Sequence, residues 1–124
     1  MLDFFREGGW VMWPILVFGM VTVGAALRFA RKPEASQIRF IAAMGLTTLV
    51  ATFHATWTDI AAVLGYLGQQ EEMAEAQFRK ILIVGLKEST RPGTLGGLLL
   101  MLACLLVAVG ILRLGSKDKA SAKG

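Results

Sequence analysis

Residues 10–27 and 95–112 are two runs of eighteen amino acids without a single charge. As helices, each is about 27 Å long, close to the thickness of a bilayer's hydrocarbon core. Between them, residues 38–66 form a third apolar stretch that only Arg39 and Asp59 interrupt. A chain of 124 residues, 55% hydrophobic and with a mean hydropathy of +0.59, has too little polar surface to wrap three such blocks as a soluble domain. The expectation is an all-α integral membrane protein. It has three transmembrane helices at about 10–28, 38–66 and 94–114 and is assembled as an oligomer.

Orientation follows from the cations. Arg28, Arg31, Lys32 and Arg39 stand against Glu34 after the first span. Arg113, Lys117, Lys119 and Lys123 stand against Asp118 after the third. The segment between spans two and three is balanced: Glu71, Glu72, Glu75 and Glu88 against Arg79, Lys80, Lys87 and Arg91. Both basic segments then belong in the cytoplasm and the N-terminus outside, as expected for a multi-pass protein of a bacterial inner membrane. The pI of about 9.6 comes from these anchors and calls for no nucleic-acid partner; lipid is the surface they meet. Met1 to Gly9 carries Asp3 and Glu7 against Arg6, which lacks the positive start of a secretory signal, so the first span reads as retained.

Along the chain, Phe4 and Phe5 suit an interfacial segment, Trp10 and Trp13 anchor span one in the headgroup layer, and Pro14 falls in its first turn. Pro33 breaks the chain and Ser36 is the expected N-cap of span two. About ten residues join the first two spans, so they form a tight hairpin. Residues 69–91 read as a partly amphipathic periplasmic helix, ended by Pro92 and Gly93. Gly96, Gly97, Ala103 and Gly110 allow close helix approach in span three. The small, basic residues 115–124 read as a disordered tail.

The middle span carries the chemistry. At 100° per residue, Thr48, Thr52, Thr56 and Asp59 fall within an arc of about 80°. Thr47, His54 and Thr58 form a second row, and Leu46, Leu49, Val50, Phe53, Trp57, Ile60 and Leu64 make an apolar face. Such a polar stripe should turn away from lipid, toward other helices or water. The hydroxyls could line a hydrated path, with Asp59 as its protonatable group. They could equally bond back to their own helix and allow packing. His54, the only histidine, is a proton-relay candidate, a packing residue, or a haem ligand needing a second subunit. With one cysteine, Cys104, and no cluster of carboxylates, a metal site within one chain is not expected. Nor is an enzyme: there is no phosphate loop or nucleophile elbow.

Three motifs carry a family resemblance. FREGGWVMWPIL at 5–16 resembles the start of the TolQ/ExbB branch of the MotA/TolQ/ExbB proton-channel proteins, where an acidic-Gly-Gly stretch precedes Trp, aliphatics and Pro. GLTTLVATFHA at 45–55 is similar to the family's Gly-Leu-Leu-Gly-Thr-Val signature. ILIVGLKESTRPGTLGGLLL at 81–100 resembles its Gly-Ile-x-Glu-Ala-Leu…Thr-Ala-x-Gly-Leu approach to the last span. The resemblance implies three spans with the N-terminus outside, a ring of identical subunits around a single-span partner, and proton flow that drives force. It also suggests an outer polar contact made by Glu88 and Arg91, whose plainer reading is a solvated loop pair. This chain departs from the family by lacking the large domain between spans one and two. It also places Thr48 and Leu49 where the family has Gly and Thr, and Pro92 and Gly93 near its paired threonines.

Two further readings stand beside the channel subunit, which would need no cofactor beyond the proton it moves. One is a non-conducting structural or anchoring subunit of a larger membrane complex, favoured by those departures. The other is a haem- or quinone-binding anchor using His54.

Overall fold

The computed structural model describes Leu2, Arg6 and residues 9–123. The described residues contain no strand. Their helices are α1 (Met12–Arg31), α2 (Ala35–Gly68), α3 (Glu75–Ser89) and α4 (Arg91–Lys123). Three helical segments are long and apolar enough to cross a membrane: α1, α2, and α4 together with α3. The interfacial segment expected around Phe4 and Phe5 lies outside the described residues.

Each helix begins or stops for a local reason. Pro33 follows the end of α1, and only Lys32 to Glu34 separate the first two helices. The connection is shorter than the ten residues expected because both helices continue past their uncharged runs. α2 starts one residue before the expected cap. Glu34 is extended, and the Gln37 N–H donates to the Glu34 carbonyl at 3.0 Å; Ser36 already lies inside the helix. α3 is shorter than the stretch 69–91, and residues 69–74 form the turn that reverses the chain. It carries Glu75 in its first turn and Lys87 in its last, both matched to the helix dipole. The break between α3 and α4 falls at Thr90, not at Pro92. Pro92 sits in the first turn of α4, where a missing N–H leaves no bond unmade.

The basic tail differs most from expectation. Residues 115–123 continue α4 as helix. Extending a helix that is already anchored avoids the unfavourable nucleation step, and Lys and Ala extend it at little cost. Lys123 in the last turn also suits the negative end of the dipole.

Contacts between side chains and glycines fix the arrangement. Gly19 of α1 faces Leu99 of α4, and Phe29 faces Gly110, so α1 and α4 run parallel. Thr22 meets Thr48, and Phe29 shares a buried cluster with Ile41, so α1 and α2 run antiparallel. Gly96 of α4 lies against the Thr52 side chain, and Gly85 of α3 against Val63. α3 therefore carries on the line of α4 alongside the far end of α2. The core cluster of Ala26, Phe29, Ile41 and Ala103 sits toward the end bearing Arg28, Arg31 and Arg39, called here the basic end.

Length then decides what leaves the membrane. α1, at 20 residues, matches a hydrocarbon core of about 30 Å, whereas α2 has 34 and α4 has 33. Counting along the helices from the Thr22–Thr48 contact, Met12 comes level with Thr58. The remainder of α2 projects beyond α1 with α3 beside it. At the basic end, Arg113 reaches the last turn of α1, so residues 114–123 project on that side. Only 33% of the apolar window of α1 and 22% of those of α2 and of the α3–α4 segment are buried within the chain. The rest is left to lipid or to other helices.

The glycines give a test with its own control. A methyl group at Gly96 collides with Thr52, while one at Gly97 meets nothing within 4 Å. Gly96→Ala should destabilise the bundle by about 1–3 kcal/mol through overpacking. Gly97→Ala should be neutral, or stabilising by about 0.5–1 kcal/mol through helix propensity. Unfolding in mixed micelles, followed by circular dichroism, measures both.

Candidate functional site

The polar stripe of α2 coincides with that helix's buried face. Ile41, Thr48, Thr52 and Ala55 are its buried residues through the span, and they share one side because 3.6 residues make a turn. The bulky apolar residues Leu46, Val50, Phe53, Trp57 and Leu64 point outward. Lipid is as apolar as leucine, so little is gained by turning such side chains inward. Small and hydroxylated residues, which let backbones approach, take the interior instead.

Thr48 is fully buried against α1. Its Oγ1 lies 3.2 Å from Oγ1 of Thr22, itself 1% exposed. Each hydroxyl is also close to the carbonyl one turn back: Thr22 to Phe18 at 2.7 Å, Thr48 to Met44 at 2.9 Å. A hydroxyl has a single proton. When Thr22 donates to Thr48, its own bond to Phe18 is given up while Thr48 still donates to Met44, and the reverse arrangement is equally available. Thr52 donates to the Thr48 carbonyl at 2.7 Å and fills the hollow at Gly96 of α4. Thr56 is half-buried, and Gly93 of α4 lies beside its Oγ1. Thr48, Thr52 and Thr56 are thus set among the helices of their own chain, in a seam between α1 and α4.

Asp59, half-buried on the same side of α2, sits at a different depth. It comes level with the start of α1, where Trp10 and Trp13 lie, and with the α3–α4 junction at Ser89 to Arg91. That level is the end of the three-helix packing, where α1 begins, not its middle. Arg91 is half-buried at that junction, and Glu88 is exposed one turn earlier. Arg79 pairs with Glu75 one turn away on α3 at 3.3 Å. Both partners are well exposed, so the pair adds little stability.

His54 is not brought together with the stripe. It is exposed on the outward side of α2, its imidazole makes no hydrogen bond among the described residues, and only its backbone carbonyl is used, by the Thr58 hydroxyl at 2.8 Å. Thr47 and Thr58 share that exposure and donate back to their own helix. Among the described residues, no group of three His, Cys, Asp or Glu side chains is placed to hold a metal ion. An imidazole on the outer face of a single chain would ligate haem only together with a residue from a second one.

Three polar contacts were not anticipated. Thr22 is the one hydroxyl in the first apolar run, a signal that could have flagged it. Ser89, buried at the α3–α4 junction, donates to the Gly85 carbonyl at 2.8 Å. Arg113 donates from a guanidinium nitrogen to the Ala30 carbonyl at 2.6 Å. The last carbonyls of a helix have no partner within it, and a cation there also meets the negative end of the dipole. Nothing in the local sequence around Arg113 marks that role, because its partner is 83 residues away.

Compared with protein-family models, with curated proteins and with solved structures, the chain matches none.

The hydroxyl contact is testable by a double-mutant cycle. Thr48→Val keeps the shape and removes the hydroxyl, and it should cost about 0.6 kcal/mol, the average for a hydrogen bond between membrane helices, and no more than about 1.7 kcal/mol, the most such bonds contribute. Thr22→Val in the Thr48→Val background should cost measurably less than it does alone. Strict additivity in the same unfolding assay would show that the two hydroxyls act separately.

Proposed function

We propose that this chain is a non-conducting structural subunit that supplies a compact three-helix anchor to a larger membrane assembly. What carries the reading is the burial of Thr48 and Thr52 within their own bundle, at 0% and 8% exposure. A hydroxyl already packed against α1 or α4 cannot line a pore made between subunits unless the bundle opens.

The outward face of α2 supports the assembly half of the proposal. His54 lies about two turns toward the basic end from the level of Trp10, well inside the apolar span, and is exposed there. A polar side chain at that depth ordinarily faces another helix or water, not lipid. With Phe53 and Trp57 beside it, this face suits a transmembrane helix of a partner or a second copy. The bacterial inner membrane, an outside N-terminus and a cytoplasmic C-terminus belong to the same proposal and rest on the distribution of Lys and Arg.

A second reading keeps the TolQ/ExbB-like channel, in which proton flow through a ring is coupled to a single-span partner. Its support is the motif resemblance together with the placement of Asp59, half-buried at the end of the three-helix packing on the same side as the threonines. In that arrangement Asp59 would stand at the mouth of the path.

Proton flux into liposomes containing the purified protein, with and without its co-purifying chains, separates the two. The structural reading expects background flux for the wild type and for Asp59→Asn alike. Flux well above background that Asp59→Asn abolishes without changing the mass of the complex would overturn it in favour of the channel.

A further inference from the structure

At the basic end, the cleft between α1 and the start of α2 opens into a groove of about 570 Å³. Its chemistry changes with depth. Arg28, Glu34, Ser36 and Gln37 line it at the level of the connecting loop, while Val21, Phe40 and Ile41 line it farther in. From Arg28 to Val21 is about 10 Å along α1, two thirds of one leaflet's hydrocarbon depth of about 15 Å. The groove is therefore charged where headgroups lie and apolar where acyl chains lie.

Gly24 forms part of its wall, and a side chain there would meet nothing within 4 Å. Unlike Gly19, where Leu99 would collide with any Cβ, Gly24 is not required for packing inside the chain. A mid-helix glycine is nonetheless unfavourable relative to alanine. Here it leaves a hollow beside Arg28. Gln37, in the same lining, holds a buried Oε1 with no hydrogen-bond partner among the described residues. Arg28 and Glu34 are the charged residues of the lining, and Arg31 and Lys32 line an adjoining hollow that shares Gly24 and Arg28, so cations outnumber the carboxylate around the mouth.

We infer that this groove is a binding site for an anionic phospholipid, with the phosphate held at Arg28 and one acyl chain laid along Gly24, Val21 and Phe40. A guanidinium binds phosphate through charge-assisted hydrogen bonds in a forked geometry. Basic pockets between membrane helices are suited to such headgroups. The site lies on α1 and α2 away from the threonine seam, so it does not depend on whether the protein conducts ions.

Native mass spectrometry of the full-length protein in mild detergent provides the test, with phosphatidylglycerol and phosphatidylcholine of identical acyl chains as probes. Phosphatidylglycerol should bind at least several-fold tighter. Arg28→Gln should weaken it about tenfold, the worth of one charge-assisted contact, and bring it near phosphatidylcholine. Gly24→Leu should weaken both lipids by filling the groove, with circular dichroism reporting that the helices persist. Lys117→Gln with Lys119→Gln, on the projecting part of α4, should change neither. Equal binding of the two lipids, or an equal loss from the Lys117/Lys119 variant, would overturn the inference. So would displacement of the lipid by millimolar inorganic phosphate, which would mark a simple ion site.

Discussion

The fold depends on how closely three helices can approach where no water is present to drive apolar groups together. In lipid, association rests on contact and on interhelical hydrogen bonds. This chain uses both along the length of the bundle. Thr22 and Thr48 join α1 to α2 through their hydroxyls. One turn on, Thr52 fills the space left by Gly96 and joins α2 to α4. Gly19 and Gly110 admit Leu99 and Phe29 and join α1 to α4. Every pair of spanning helices thus has a small residue or a hydroxyl at its contact. Most of the bulky residues of α2 are left outside, where lipid solvates them at little loss.

From that register the rest of the molecule follows. α1 is as long as the membrane is thick, and its partners are not. α2 overshoots at one end, where α3 folds back along it by way of Gly85 and Val63. α4 overshoots at the other, past the point where Arg113 holds the Ala30 carbonyl. The Arg113 contact places a cation at the C-terminus of α1, within the same band as Arg28, Arg31 and Arg39. A cluster of cations and a hydrogen bond that completes a helix end therefore occupy the same place. The lipid groove proposed above opens into that band.

The functional proposal turns on which neighbours the polar stripe has. A row of hydroxyls on a membrane helix reads the same whether it lines water or packs against a neighbour, because both require it to avoid lipid. Within this chain the neighbours are α1 and α4, and the hydroxyls are already engaged. On the row beside the stripe, His54, Thr47 and Thr58 are left uncovered, and of these only the His54 side chain makes no hydrogen bond among the described residues. For that reason the partner proposed above is set against the outward face of α2 and not its inward one.

The three spans, the absence of strands among the described residues, the hairpin at Pro33 and the inward turn of Thr48 and Thr52 were legible in the residues themselves. Each depends on a local property: an uncharged run as long as the bilayer, a residue that cannot extend a helix, or a periodicity of 3.6. The neighbour of each inward residue was not legible. Thr22 against Thr48, Gly96 against Thr52 and Arg113 against Ala30 are pairings across 26, 44 and 83 positions, and the spacing along one helix says nothing about the register of another. The tail was misjudged for a related reason. Its composition alone suggests disorder, but attachment to an anchored helix supplies the nucleus that an isolated segment lacks. Sequence alone therefore determined that these helices exist, are long and apolar enough to cross a membrane and turn Thr48 and Thr52 inward, because hydropathy and helical period are local. Only the tertiary structure decided that the hidden side is spent on the chain's own packing, because that depends on where distant glycines and hydroxyls meet.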